Sequence, residues 1–155
     1  MKIVDILDED FVIPDLSATN KREVLKELIA VFSKKYNKLD RESLLAVLLE
    51  REKLGSTGIG EGVAIPHGKI GNLECVLLSF GRSKNGIGFD SIDGKPVHLF
   101  FLLMAPENSA GLHLKALAKI SRMLRNPSLR KDLMGAESRE EILQILTQAD
   151  KEPEV

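Results

Sequence analysis

The run Arg51-Glu-Lys-Leu-Gly-Ser-Thr-Gly-Ile-Gly-Glu-Gly-Val-Ala-Ile-Pro-His67-Gly-Lys69 gathers a guanidinium, two hydroxyls, spaced glycines and one imidazole. Gly55, Gly58, Gly60 and Gly62 let backbone amides approach a ligand, because no side chain blocks the way. Val63, Ala64 and Ile65 read as a short buried strand, and Pro66 stiffens the chain beside His67. An imidazole delivered on such a ramp, facing amide donors, suits anion chemistry and points to a histidine that handles phosphate. The plainer alternative is a glycine-rich turn that joins a helix to a strand.

Neither common nucleotide motif fits. A Walker loop has four residues between its first glycine and Gly-Lys-Ser/Thr. Here five residues separate Gly62 from Gly68-Lys69, and Ile70 stands where the hydroxyl belongs. In a dinucleotide fingerprint the pair Gly58-Ile-Gly60 would lead, after two intervening residues, to a third glycine, where this chain has Val63.

Gly55-Ser-Thr-Gly-Ile-Gly followed by Ala64-Ile-Pro-His67-Gly resembles the phosphoacceptor motif of the IIA domains of the bacterial phosphoenolpyruvate-dependent phosphotransferase system. The branch is the fructose/mannitol type (type 2), and the chain is most similar to its stand-alone nitrogen-regulatory members. Phe89-Asp-Ser-Ile-Asp-Gly-Lys-Pro-Val97, the strand ending in Met104-Ala-Pro, and His113-Leu-Lys-Ala-Leu follow in family-like order, so the resemblance spans roughly residues 3 to 149. It implies a mixed sheet and a phosphoacceptor at His67. It also implies a second active-site histidine at His113 and a phosphoryl-stabilising role for Arg51. The implied upstream partner is a histidine phosphocarrier protein (HPr/NPr-like); downstream stands a IIB domain or a regulatory target protein.

Residue chemistry agrees. Phosphoryl exchange between proteins needs a nucleophile competent near neutral pH, and neutral imidazole, with a pKa of about 6.5, offers a free lone pair. The transition state is metaphosphate-like, so positioning and positive potential do most of the work. Arg51 supplies a planar fork of donors. The amides from Gly55 to Gly62, those of Gly58 and Gly60 among them, and the hydroxyls of Ser56 and Thr57 are expected to bind phosphate as neutral donors. No metal and no cofactor is expected, since donor and acceptor are protein side chains. A three-histidine zinc site lacks both a His-Glu-x-x-His run and a cysteine pair.

The remaining candidates rank below His67. His113 lies at the expected start of a helix, a position that disfavours imidazolium and offers amides to anions. His98 opens an apolar strand and is expected to be structural. Lys69 adds positive potential or is simply exposed; Glu61 would repel phosphate and is not taken as catalytic. Phe89, Phe100 and Phe101 are expected in the core.

These residues need a scaffold, and the pattern supplies an α/β layered sandwich with helices on both faces of a central mixed sheet. Asn20 and Asp40 are N-caps of two helices, the second ending near Gly55. Strands are expected from Glu74 to Gly81 and from Val97 to Met104, with Asn85-Gly86 and Asp93-Gly94 as turns between them. A third helix follows His113, Pro127 opens a short one that Gly135 stops, and Ser138-Arg-Glu-Glu141 is a capping box for the last.

With 155 residues, 43% apolar and 29% charged, the chain fits one soluble domain over residues 1–149, with 150–155 as a flexible tail. A net charge of −1 argues against nucleic-acid binding, and no apolar run suits direct membrane insertion. The single cysteine, Cys75, forms no internal disulfide, and the expected compartment is cytoplasmic. Three functional readings stand. The first is a mainly regulatory phosphocarrier, the second a IIA component of a fructose/mannitol-type sugar permease, and the third a non-catalytic binding module.

Overall fold

Strand β6 (Val97–Pro106) organises the molecule, because its side chains are almost all buried and strands pair along both of its edges. In the computed structural model, residues 2–151 are described, and they form six strands and five α-helices with short 3-10 turns between them. The sheet order is β1 (Val12–Ile13), β5 (Leu77–Ile87), β6, β3 (Val63–Ala64), β2 (Gly58–Gly60), with β4 (His67–Ile70) also paired to β6. Strand β5 runs antiparallel to β6, whereas β3 and β4 run parallel to it. The sheet is therefore mixed.

Strands β3 and β4 lie on the same edge of β6, Val63 opposite Leu99 and His67 opposite Leu103. They form one extended ribbon interrupted at Ile65–Pro66. Proline has no amide to give the ladder, although its carbonyl still accepts from Leu103 N at 2.9 Å. His67 is the first residue after this break.

Helices cover both faces. Ser79 on β5 donates to the Leu28 carbonyl of α1 (Lys21–Ala30) at 2.9 Å. Arg82, three residues on and so on the opposite face, reaches the Leu133 carbonyl of α4 (Pro127–Gly135) at 3.0 Å. Helix α2 (Arg41–Lys53) presses on β4 at Gly68, where an added Cβ would sit 2.6 Å from Val47 Cγ1. Helices α3 (Ala110–Met123) and α5 (Arg139–Asp150) complete the layers. Phe80 and Phe101, with ring centroids 4.9 Å apart, and Phe89 and Phe100, at 5.4 Å, stack in the core as expected.

The expected caps at Asn20, Asp40 and Ser138 are in place, and Asn126, not expected as one, caps α4. Asn20, Asp40, Asn126 and Ser138 each accept a first-turn amide. Several boundaries differ from the sequence reading: β5 begins at Leu77 rather than Glu74, and β6 runs on to Pro106 rather than ending at Met104. Strand β5 continues past Gly81 to Ile87, because the polar side chain of Arg82 is fully satisfied inside the protein. Asn85-Gly86 is then no turn but part of β5, at the irregularity where the register with β6 shifts and Gly86 takes a φ of 85°. Helix α3 starts at Ala110, not after His113, since the His113 amide already closes a turn onto the Ser109 carbonyl at 3.0 Å. Asp150 does not belong to a frayed tail: it ends α5, is buried, and accepts from Val4 N at 3.0 Å. The rest of the expected tail, residues 152–155, lies outside the described residues.

Candidate functional site

His67 is half-buried at the head of β4, and its ring is held by its own backbone: Nδ1 lies 2.8 Å from the Ile65 carbonyl. A carbonyl only accepts, so Nδ1 carries the proton and, in the neutral ring, Nε2 keeps the free lone pair. The break at Pro66 makes this possible by taking Ile65 out of the β6 ladder. Across from it, the His113 ring is 4% exposed, with centroids 5.6 Å apart and planes 62° inclined. Among the described residues, His113 Nδ1 is buried without a hydrogen-bond partner.

Both rings are pushed below the ordinary histidine value. For His67 burial is the main cause, with the Arg51 guanidinium adding to it, while the Ile65 carbonyl and Glu52 pull the other way. For His113 burial again leads, followed by the charges of His67 and Lys69. Two neutral imidazoles at neutral pH are the outcome.

Arg51 ends α2 and stands half-buried beside His67, one guanidinium nitrogen donating to the Gly55 carbonyl at 2.9 Å. Among the described residues, its other N–H groups meet no acceptor. His67, His113, Arg51, Lys69 and Glu50 all line one open depression of about 530 Å³, together with Val47, Leu54, Leu114 and Leu117. Leu54 is 84% and Leu114 64% exposed, so the imidazoles sit inside an apolar collar.

The glycine-rich segment does something other than expected. The Thr57 hydroxyl donates to the Glu52 carboxylate and its amide donates there too, at 3.2 Å. The Ser56 hydroxyl donates to the Phe89 carbonyl at 2.6 Å and accepts from Gly58 N at 3.0 Å. Gly55 N goes to the Glu52 carbonyl, and Glu61 N to Asp93. The expected phosphate donors Ser56 and Thr57 are thus turned inward, and the amide of Gly58 is already engaged. Gly58 and Gly60 form β2, paired with β3, and Gly60 borders a separate depression beside Arg125 and Arg130. The glycines shape a tight hairpin: Gly60 and Gly62 take φ values of 95° and 76°, which side chains rarely adopt.

His98 stands apart, its Nδ1 donating to the Ser83 carbonyl at 2.8 Å, which ties β6 to the irregular end of β5. Glu61 is exposed and 3.8 Å from Arg130. Among the described residues no group of three or more His, Cys, Asp or Glu is placed to hold a metal ion, and no helix is long and apolar enough to cross a membrane.

Sequence reasoning missed two features. Glu52 was given no role by the sequence, yet it is buried and receives Thr57 and Lys21. The apolar collar was readable only as leucines on helices, with no sign of which would converge on His67.

A mixed α/β sandwich with two facing neutral imidazoles and an arginine in an open apolar rim defines a domain suited to anion chemistry on histidine. Residues 5–149 match the family described as "Phosphoenolpyruvate-dependent sugar phosphotransferase system, EIIA 2", and the chain belongs to that family. A nitrogen regulatory protein of Bradyrhizobium diazoefficiens is 42% identical over 94% of this chain and 95% of its own length. The fructose-specific EIIABC component of Bacillus subtilis is 38% identical over 97% of this chain, which spans only 24% of that larger protein. Among solved structures, nitrogen regulatory protein IIA-Ntr of Neisseria meningitidis superposes with a TM-score of 0.86 at 38% identity, covering 93% of this chain and 98% of that one. IIA mannitol of Escherichia coli shares the fold, with a TM-score of 0.75 at 22% identity over 90% of this chain and 97% of that one.

Proposed function

We propose that this chain is a phosphocarrier that accepts a phosphoryl group on His67 Nε2 from a histidine phosphocarrier protein and acts mainly in regulation. The observation that carries this is the 2.8 Å bond from His67 Nδ1 to the Ile65 carbonyl, which leaves Nε2 unprotonated beside His113 and Arg51. In the transfer, the donor's N–P bond breaks as the Nε2–P bond forms. The Nδ1 proton stays on the ring, so on onward transfer the leaving group is neutral imidazole, which keeps the exchange reversible. Arg51 and Lys69 stabilise the equatorial oxygens, and His113, as a donor, takes one more.

The regulatory role is supported by near-complete alignment with nitrogen regulatory proteins, 95% of the Bradyrhizobium relative being matched. The 38% identity to the fructose-specific EIIABC component keeps a sugar-permease role as the second reading. An Escherichia coli mannitol IIA enzyme has been solved in complex with a phosphorylated IIB enzyme. By analogy a IIB domain is one downstream partner; a regulatory target is the other.

Incubation with phosphoenolpyruvate, enzyme I and a histidine phosphocarrier protein is expected to add one acid-labile, alkali-stable phosphate. His67→Ala is expected to abolish the label; full labelling of that variant would overturn the assignment. Onward transfer to a IIB domain separates the second reading from the first.

A further inference from the structure

Behind His67 runs a chain of buried hydrogen bonds that begins at a carboxylate. Glu52 is 8% and Thr57 4% exposed. The Thr57 amide donates to Glu52 Oε1 at 3.2 Å, and its hydroxyl donates to Oε2. Lys21, from α1, holds Oε1 at 2.9 Å and lies 4.7 Å from the Phe89 ring centroid. The Thr57 carbonyl accepts from Ile65 N at 3.0 Å, and the Ile65 carbonyl accepts from His67 Nδ1 at 2.8 Å.

A buried carboxylate is expensive unless fully paired, and here every partner belongs either to the segment carrying His67 or to the neighbouring helix. The last link in the chain decides which ring nitrogen bears the proton, because a histidine's tautomer follows the bond its other nitrogen makes. We propose that Glu52 is a positioning residue that acts through Thr57 and Ile65 to fix the rotation and tautomer of the His67 ring. The consequence for transfer rests on His67 being the phosphoacceptor; the consequence for the ring itself does not. With the chain cut, the Ile65 carbonyl drifts, both tautomers populate, and a protonated Nε2 cannot attack phosphorus.

The test uses Thr57→Val, which removes the hydroxyl at nearly constant volume, and Glu52→Gln, with Thr57→Ser as the conservative restoration. Long-range 1H–15N spectra of the imidazoles are recorded beside thermal unfolding and transfer kinetics. Wild type is expected to show His67 with protonated Nδ1 and unprotonated Nε2. In Thr57→Val and Glu52→Gln both nitrogen signals move toward averaged positions, and Thr57→Ser returns them. Transfer kcat falls about 10- to 100-fold, the scale on which an ångström of misplacement acts, with the KM for the upstream carrier held within about twofold.

Asp150→Asn, which weakens the buried contacts to Val4 and to Lys119 without touching the Glu52–Thr57–Ile65 chain, controls for stability: it lowers the unfolding temperature and leaves the His67 signals in place. Wild-type His67 signals in folded Thr57→Val overturn the proposal; should that variant not fold, the same result in Glu52→Gln does so. If the wild-type protein accepts no phosphate, the acceptor reading falls alone, and the nitrogen signals still decide the positioning.

Discussion

Leu54 and Leu114 allow docking to be separated from chemistry. Both line the depression around His67, and they are 84% and 64% exposed. Fully burying a leucine is worth roughly 2 kcal/mol, so a partner covering this rim can gain about 1.7 kcal/mol from Leu54 and about 1.3 from Leu114 in proportion to their exposure. Alanine retains the β-carbon and a part of that, which leaves a loss of about 1–1.5 kcal/mol for each truncation, or roughly 5- to 12-fold in affinity. Because neither side chain is packed in the core, the stability of each variant should stay within about 0.5 kcal/mol of wild type. Steady-state transfer from the phosphorylated carrier is the assay. The expected outcome is a raised KM for the carrier, kcat retained at saturation, an unmoved unfolding temperature, and near-additive effects in the double variant. An unchanged KM in the double variant would refute the reasoning that this rim is the docking surface. So would a KM change accompanied by a fall of several degrees in unfolding temperature.

Three other outcomes follow from the geometry. His113→Ala should lower transfer kcat while leaving carrier binding intact, whereas His98→Asn, which loses the bond to the Ser83 carbonyl, should cost about 1 kcal/mol of stability and little transfer; exchanged behaviours in the same kinetic and unfolding assays would reverse the ranking of the two. Arg82→Met should destabilise by about 3–5 kcal/mol in urea unfolding, because the buried guanidinium serves the Pro14, Leu133, Met134 and Ala136 carbonyls; a loss below about 1 kcal/mol would contradict that role. His67 and His113 both titrate below their unfolded value of about 6.5, so the unfolded chain binds more protons as pH falls below that value. Their contribution to stability is full above about pH 6.5 and is lost as pH falls through the lower folded values. Transfer should hold its plateau below pH 6.5 for the same reason, and a rate that halves at the ordinary histidine pKa would refute it.

What could be read in the sequence was what depends on neighbours along the chain. The caps at Asn20, Asp40 and Ser138 work within three residues, so their residue types revealed them. The pairing of Pro66 with His67 was equally local. The glycine hairpin was visible, but its purpose was not: whether the Ser56 and Thr57 hydroxyls face a ligand or the interior depends on Phe89 and Glu52, which only folding brings to them. Arg82 and Asn85-Gly86 misled for the same reason. A charged residue and a turn dipeptide end a strand on average, but here distant carbonyls satisfy the guanidinium and a bulge absorbs the glycine. Glu52 could not be told from Glu50 by pattern, since only Lys21 of another helix and the returning Thr57 make its burial tolerable.

The site answers two opposed demands. A phosphocarrier's histidine must be exposed enough for other proteins to reach, yet desolvated enough to stay neutral and nucleophilic. Half-burial at the head of β4, a collar of apolar side chains and a backbone carbonyl on Nδ1 meet both demands without any moving part. The same arrangement makes the modified state conspicuous. A phosphoryl group bringing about −1.5 to −2 charge would enter a rim whose fixed charges are the cations Arg51 and Lys69 and the carboxylate Glu50. Its surplus negative charge would then face whatever docks on Leu54 and Leu114, repelling acidic surfaces and favouring arginine-bearing ones. Discrimination between the two states therefore needs no change of fold, only a change of charge at the centre of a surface that combines leucines with Glu50, Arg51 and Lys69.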